Sequence, residues 1–240
     1  MQIIPVVDLM KGQVVRAVRG LRGEYRPVVS ALCAGSDPVR VAQALCGYAG
    51  ADTLYVADLD ALTGGTAQAA VIRDLLAALP GVSLWLDAGF ADAAAFDRLR
   101  DVLGEDGARV APVFASEALA TPGAACASLA DRSGAILSLD RRGGRRMDPA
   151  GCWDRPEIWP ERVIVMTLDR VGSFDGPDLG TLRDCARRAP RVTLIGAGGI
   201  RDEADLRTAQ AAGASAWLTA SALHDRRIPP RAPAAGQGTD

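Results

Sequence analysis

Two aspartates at the ends of apolar, strand-like runs carry the clearest chemical signal in the chain: Asp8 follows Ile3-Ile4-Pro5-Val6-Val7, and Asp140 follows Leu137-Ser138-Leu139. Two carboxyl groups facing each other can give and take protons at fixed positions on a small molecule, a contribution of about 10²–10⁴ in rate. A strand-end aspartate can equally cap a turn by accepting backbone N–H bonds. Other chemistries have less to work with. His224 is the only histidine and precedes the Arg226 to Asp240 tail, so Ser-His-Asp and Cys-His arrangements lack a well-placed base. Cys33, Cys46, Cys126, Cys152 and Cys185 have no CxxC spacing, which speaks against a zinc site or a disulfide framework.

A second group of residues suggests anion binding. Gly196-Ala197-Gly198-Gly199-Ile200 follows an apolar run and precedes a helical stretch, where glycines let backbone amides converge on a phosphate, although any tight turn also needs glycine. Thr167 and Asp169 end another run, and Asp58 and Asp60 end a third, followed by Thr63-Gly64-Gly65-Thr66. Capping accounts for these equally well. Arg141-Arg142-Gly143-Gly144, directly after Asp140, reads either as an anion-binding segment or as a mobile basic loop.

The elements that must position these residues repeat along the chain. Short β-rich runs at about 2–7, 53–58, 82–87, 109–114, 134–140, 162–168, 191–196 and 214–219 each lead through a polar turn into a stretch with helical spacing. Eight such alternations predict a (β/α)8 TIM barrel, in which strand carboxyl ends form the active-site mouth. Ser36-Asp37-Pro38 supplies a capped helix start, Asp202-Glu203 places carboxylates at another, and Gly50, Gly81 and Gly213 stand where helices stop. Prolines 149, 156 and 160 predict a shortened, irregular helix five, and Pro229, Pro230 and Pro233 predict that the last helix is missing after one turn. Residues 1–225 are expected to form one barrel, with 226–240 a disordered tail. The barrel has two similar halves: Val113 to Leu119 resembles Leu218 to Leu223, Asp87-Ala88-Gly89-Phe90 resembles Ala197-Gly198-Gly199-Ile200, and Asp8 corresponds to Asp140.

Composition is consistent with this. The 240 residues are 49% hydrophobic and 23% charged, enough for a large core, while only 5% are aromatic, leaving that core to Ala, Val, Leu and Ile. Net charge is −2 and Lys11 is the only lysine; no basic stripe with interleaved aromatics suggests nucleic acid as a partner. Without a signal-like start or an apolar run of about 18 residues, no membrane association is expected and the reading is cytoplasmic. Monomer and homo-oligomer both stay open.

Ile3-Ile4-Pro5-Val6-Val7-Asp8-Leu9 with Lys11-Gly12 and Val14-Val15-Arg16, Val56-Ala57-Asp58-Leu59-Asp60, Leu137 to Gly144, and Gly198-Gly199-Ile200 resemble the HisA/HisF family of histidine biosynthesis over about residues 1–223. The resemblance to HisA, an Amadori isomerase, implies that Asp140 is the acid opening an aminosugar ring and Asp8 the base taking the C2 proton. It implies no metal or organic cofactor. Gly198, Gly199, Thr167, Ser221, Arg16 and Asp169 would then hold a small phosphorylated substrate.

Departures from the family pattern point to a divergent paralogue. The glycine-rich loop usual after strand three reads Asp87-Ala88-Gly89-Phe90, where an aspartate would repel phosphate, and the usual Gly-Arg after strand eight reads Thr219-Ala220-Ser221. After strand six, either Gly172-Ser173-Phe174 or Asp175-Gly176-Pro177 replaces the family's Asp-Gly-Thr. The substrate is accordingly expected to carry at most one phosphate. Two alternatives stand beside the isomerase: a relative working in tetrahydromethanopterin-linked one-carbon metabolism, and a non-catalytic ligand-binding or assembly protein.

Overall fold

A computed structural model describes residues 1–130 and 134–232. β1 (Gln2–Met10) turns back at Lys11-Gly12 into antiparallel β2 (Gln13–Arg16), which pairs with β3 (Arg26–Pro27). Alternation then begins with α1 (Pro38–Ala49), β4 (Thr53–Asp58), the one-turn α2 (Leu59–Leu62), α3 (Ala69–Ala78), β5 (Ser83–Asp87), α4 (Ala93–Leu103), β6 (Val110–Ala115) and α5 (Pro122–Leu129). The second half comprises β7 (Ile136–Arg142) with its hairpin strand β8 (Arg145–Arg146), β9 (Arg162–Thr167), α6 (Leu179–Arg188), β10 (Thr193–Ala197), α7 (Glu203–Ala211), β11 (Ala216–Thr219) and α8 (Ser221–His224). Strands β1, β4, β5, β6, β7, β9, β10 and β11 are each parallel to the next, and β11 returns to β1 with Ala216 opposite Gln2, closing a (β/α)8 barrel.

Local chemistry accounts for the helix ends. Asp37 accepts the Arg40 amide at 2.9 Å ahead of Pro38, and α1 stops at Gly50, whose φ of 59° is cheap only for glycine. Asp202 caps α7 through the amides of Ala204 and Asp205.

Strand alternation divides the core in two. Ile3, Val7, Leu54, Val56, Leu84, Leu86 and Leu137 pack outward against the helices, while Ile4, Tyr55, Trp85, Val113, Ile136, Ile164, Ile195 and Leu218 fill the barrel interior. Side chains two apart share a face. Continuing the inner rows toward the carboxyl ends brings Asp8 after Ile4 and Val6, Asp87 after Trp85, and Asp140 after Ile136 and Ser138.

In place of helix five, residues 147–161 form an irregular connection with two 3₁₀ turns, Cys152–Asp154 and Pro156–Ile158. Asp148 accepts the amides of Cys152 and Trp153 at 2.8 and 2.7 Å, and the Trp159 indole donates to the Cys152 carbonyl at 2.8 Å. Both indoles are buried, so this segment does the covering that a helix would do.

The expected disordered tail is corrected in its first part. Ile228 is completely buried, its carbonyl accepts the Tyr48 hydroxyl at 2.9 Å, and Arg231 donates to the Met1 carbonyl at 2.8 Å. α8 is only one turn long, and the strap 226–232 packs along α1 beyond it. The rest of the expected tail, 233–240, lies outside the described residues. Among the described residues no helix is long and apolar enough to cross a membrane.

Candidate active site

Asp8, Asp87 and Asp140 line one cavity at the carboxyl ends of the barrel strands, together with Arg22, Tyr25, Tyr55, Glu117 and Arg142. Loops close over it from two sides. Arg19 donates its amide to the Val171 carbonyl at 2.7 Å, and Arg142 reaches the Gly20 carbonyl at 3.3 Å, so the segment between β2 and β3 spans the mouth to the loops after β9 and β7.

The two aspartates singled out in the sequence sit in contrasting surroundings. Asp140 is buried. Ser138 Oγ donates to its Oδ1 at 2.7 Å, and Ser116 Oγ lies 3.2 Å from its Oδ2. Burial drives the Asp140 pKa well above the ordinary carboxylate range, opposed by the Ser138 bond and helped by the charges of Asp87 and Glu117. Ser116 Oγ also lies 2.8 Å from the Met147 carbonyl, and the Glu117 amide donates to Asp140 Oδ2 at 3.4 Å, a bond that opposes the rise. Asp8 is partly open to the cavity, and among the described residues no hydrogen bond reaches its carboxylate. Burial pushes it up to about 7; Arg22 pulls it down and Asp87 adds to the rise.

Asp87, noted in the sequence as part of the half-barrel similarity and as a departure from the family pattern, belongs to the same cavity. Its Oδ2 accepts the Tyr55 hydroxyl at 3.0 Å and its Oδ1 the Gly89 amide at 3.1 Å; burial raises it to about 6. The signal for it was available, since it ends its strand as Asp8 and Asp140 end theirs. Arg22 and Glu117, which pair at 3.2 Å, left no such signal because they lie in loops. Despite this gathering of carboxylates, among the described residues no three His, Cys, Asp or Glu side chains stand together as metal ligands.

Gly198, Gly199 and Ser221 line the cavity on the β10 and β11 side. Both glycines have positive φ, 90° and 86°, and a Cβ on Gly199 would run into the Gly176 carbonyl. Close packing against the loop after β9 therefore demands glycine whatever else the turn does. Among the described residues the amides of Gly199, Ser221 and Ala222 have no acceptor.

The remaining expected site residues are held elsewhere. Arg16 forms a 2.6 Å ion pair with Asp225 and does not line the cavity, because β2 runs back down from the mouth. Thr167 Oγ1 donates to Asp178 at 3.1 Å, and Asp169 accepts the Gly143 amide at 2.5 Å; neither lines the cavity. Asp58 is fully buried and caps Ala61 and Gln68, while Asp60 holds the Lys11 amide. In the basic segment, Arg141 is committed to Asp178, Thr181 and Gly144, leaving Arg142 as the cation facing inward. His224 is buried, 2.9 Å from Ser30 Oγ, with its pKa lowered to about 4 by burial, and takes no part in the cavity.

A family model described as histidine biosynthesis protein matches residues 2–229. The chain belongs to that family. A relative from Halobacterium salinarum, 28% identical over 93% of this chain and 91% of its own length, is named an imidazole-4-carboxamide isomerase, and its name carries two phosphoribosyl groups. One of the same name from Salinispora tropica is 31% identical over 85% of this chain and 83% of its own length. An uncharacterised protein of Methanocaldococcus jannaschii is 26% identical over 93% of both chains. The chain is thus a HisA-like barrel, similar over most of its length to named isomerases.

Proposed function

We propose that this protein is an acid/base aldose–ketose isomerase of the Amadori type acting on a phosphorylated aminosugar. The observation that carries the reading is the contrast between Asp140, buried and favoured in its neutral form, and Asp8, open to the same cavity and titrating at about 7. One is suited to donate a proton and the other to accept one at neutral pH.

Asp140 gives its proton to the furanose ring oxygen as the C1–O bond breaks and the amine nitrogen forms a C1=N bond. Asp8 then takes the proton from C2, and the C2–H electron pair becomes a C1=C2 bond. Return of a proton to C1 and loss of the C2 hydroxyl proton give the 1-amino-2-ketose. Protons are conserved and nothing is oxidised overall. Phosphate binds at the Gly198-Gly199 turn with Ser221, where the amides of Gly199, Ser221 and Ala222 have no acceptor among the described residues. Arg142 and Arg22 are the cations lining the same cavity.

Asp87, where a glycine-rich loop is usual, favours a paralogue working outside histidine biosynthesis, with tetrahydromethanopterin-linked one-carbon metabolism as the specific alternative. Rescue of a histidine auxotroph lacking the isomerase would overturn that placement. The reaction itself is tested by thermal shift with phosphate, ribose 5-phosphate and the aminoimidazole ribotide, followed by an isomerase assay on the ribotide. Stabilisation by a phosphate ester with turnover lost in Asp8→Asn is expected for the family reaction. Stabilisation without turnover means another phosphorylated substrate, and no stabilisation by any of the three removes the reading in favour of a non-catalytic protein.

A further inference from the structure

Two turns at matching places in the half-barrels differ in one respect. After β10, Gly198-Gly199 presents the Gly199 amide, which has no acceptor among the described residues. After β5, the equivalent amide of Gly89, with φ of 66°, is already taken by Asp87 Oδ1 at 3.1 Å. The carboxylate fills the turn that a bound anion would otherwise occupy. Its other oxygen faces Tyr55, whose hydroxyl donates at 3.0 Å, and Asp87 is only 7% exposed, with that exposure directed into the cavity.

We infer that Asp87, held by Tyr55 and Gly89, is a specificity residue that closes the β5 end of the mouth to a second phosphate and accepts a hydroxyl or amine of a sugar monophosphate in its place. The inference rests on the proposed phosphate site at Gly198-Gly199. An incoming phosphate at the β5 end meets a fixed carboxylate, and the Gly89 amide is already taken by it. Arg22, which also lines the cavity, is already paired with Glu117 at 3.2 Å and reaches the Leu62 carbonyl at 3.4 Å. A carboxylate oxygen with one donor retains acceptor capacity, and a ligand hydroxyl or ammonium supplies the complementary donor. The relatives whose name carries two phosphoribosyl groups set the contrast: a ligand with phosphate at both ends does not suit this mouth.

The test is calorimetric binding of ribose 5-phosphate and ribose 1,5-bisphosphate to the wild-type protein, Asp87→Asn and Asp87→Ser, with thermal melts confirming that each variant folds. Asn keeps the size and the bond from Tyr55 while removing the charge, and Ser is the fallback if Asn disturbs packing. Like charges placed together cost several kcal/mol, so the wild type is expected to favour the monophosphate by at least about tenfold, and the variants to narrow that preference to within about threefold by gaining the bisphosphate. Equal binding of both ligands by the wild type, or a preference unchanged in the folded variants, overturns the role of Asp87 and leaves the Gly198-Gly199 site standing. Binding of neither ligand by any of the proteins overturns the phosphate site and this inference with it.

Discussion

Ser116 holds Asp140 at two points, accepting the Asp140 backbone amide at 2.9 Å and meeting its carboxyl oxygen at 3.2 Å. One small side chain after β6 thereby fixes both the main chain and the acid at the end of β7. Ser116→Ala strands a buried amide and the Met147 carbonyl, and is expected to lower unfolding free energy by about 1–3 kcal/mol in urea titration. An unchanged midpoint would show that these groups find other partners.

Asp140→Asn preserves the size of the side chain and removes the proton to be donated. Turnover of the productive substrate is expected to fall by about 10²–10⁴ while a thermal melt stays cooperative. Activity within a factor of about three of wild type would remove Asp140 from the chemistry.

Asp8 links activity and stability to pH in opposite directions. As a base it must be ionised, so kcat/KM should rise with pH through about 7. As a carboxyl whose folded pKa is raised from 3.8, it binds its proton more tightly in the native state. Its favourable contribution is complete below about 3.8 and is lost as pH rises to about 7. Asp8→Asn should accordingly raise the melting temperature at pH 8 relative to wild type, with the difference closing toward pH 4. A variant less stable than wild type at pH 8 contradicts the sign.

Arg16→Met removes the 2.6 Å pair with Asp225, which lies outside the cavity. Partly exposed pairs contribute about 0–1 kcal/mol, so a small drop in melting temperature is expected with ribose 5-phosphate affinity unchanged. Weakened ligand binding at unchanged stability would restore Arg16 to the site.

Ile228→Ala probes the strap. Truncating a fully buried isoleucine costs about 2–5 kcal/mol, which differential scanning calorimetry would register as a clear fall in melting temperature. No fall would mean that 226–232 adds nothing to the barrel.

What could be read from the sequence followed from strand periodicity. Alternation put Asp8 and Asp140 at equivalent strand ends, and inward-facing rows two residues apart are what the barrel delivers there. The same periodicity marks Asp87, which comparison with the family pattern presented as a missing phosphate loop when it is itself a cavity wall. Arg16 misled because spacing does not reveal that β2 folds back, nor that the arginine's partner, Asp225, comes from 209 residues further along the chain. Ile228 was hidden by its prolines: Pro229 and Pro230 exclude a helix, and an extended strap satisfies that restriction while still burying its isoleucine. Thr167 and Asp169 are polar groups at a strand end as expected, but neighbouring loops claim their hydrogen bonds.

The parallel pairing of Gln2 through Pro5 with Ala216 through Thr219 has a consequence for how the chain is made. β1 meets β11 only after every barrel strand between them has been synthesised. Until then Ile3 and Ile4 border an unpaired edge, and a half-barrel emerging from the tunnel presents the kind of surface that chaperones shield. Joining sequence ends so remote from each other raises contact order and slows the final annealing step, so refolding from denaturant should be concentration-sensitive through aggregation even where the finished barrel is stable.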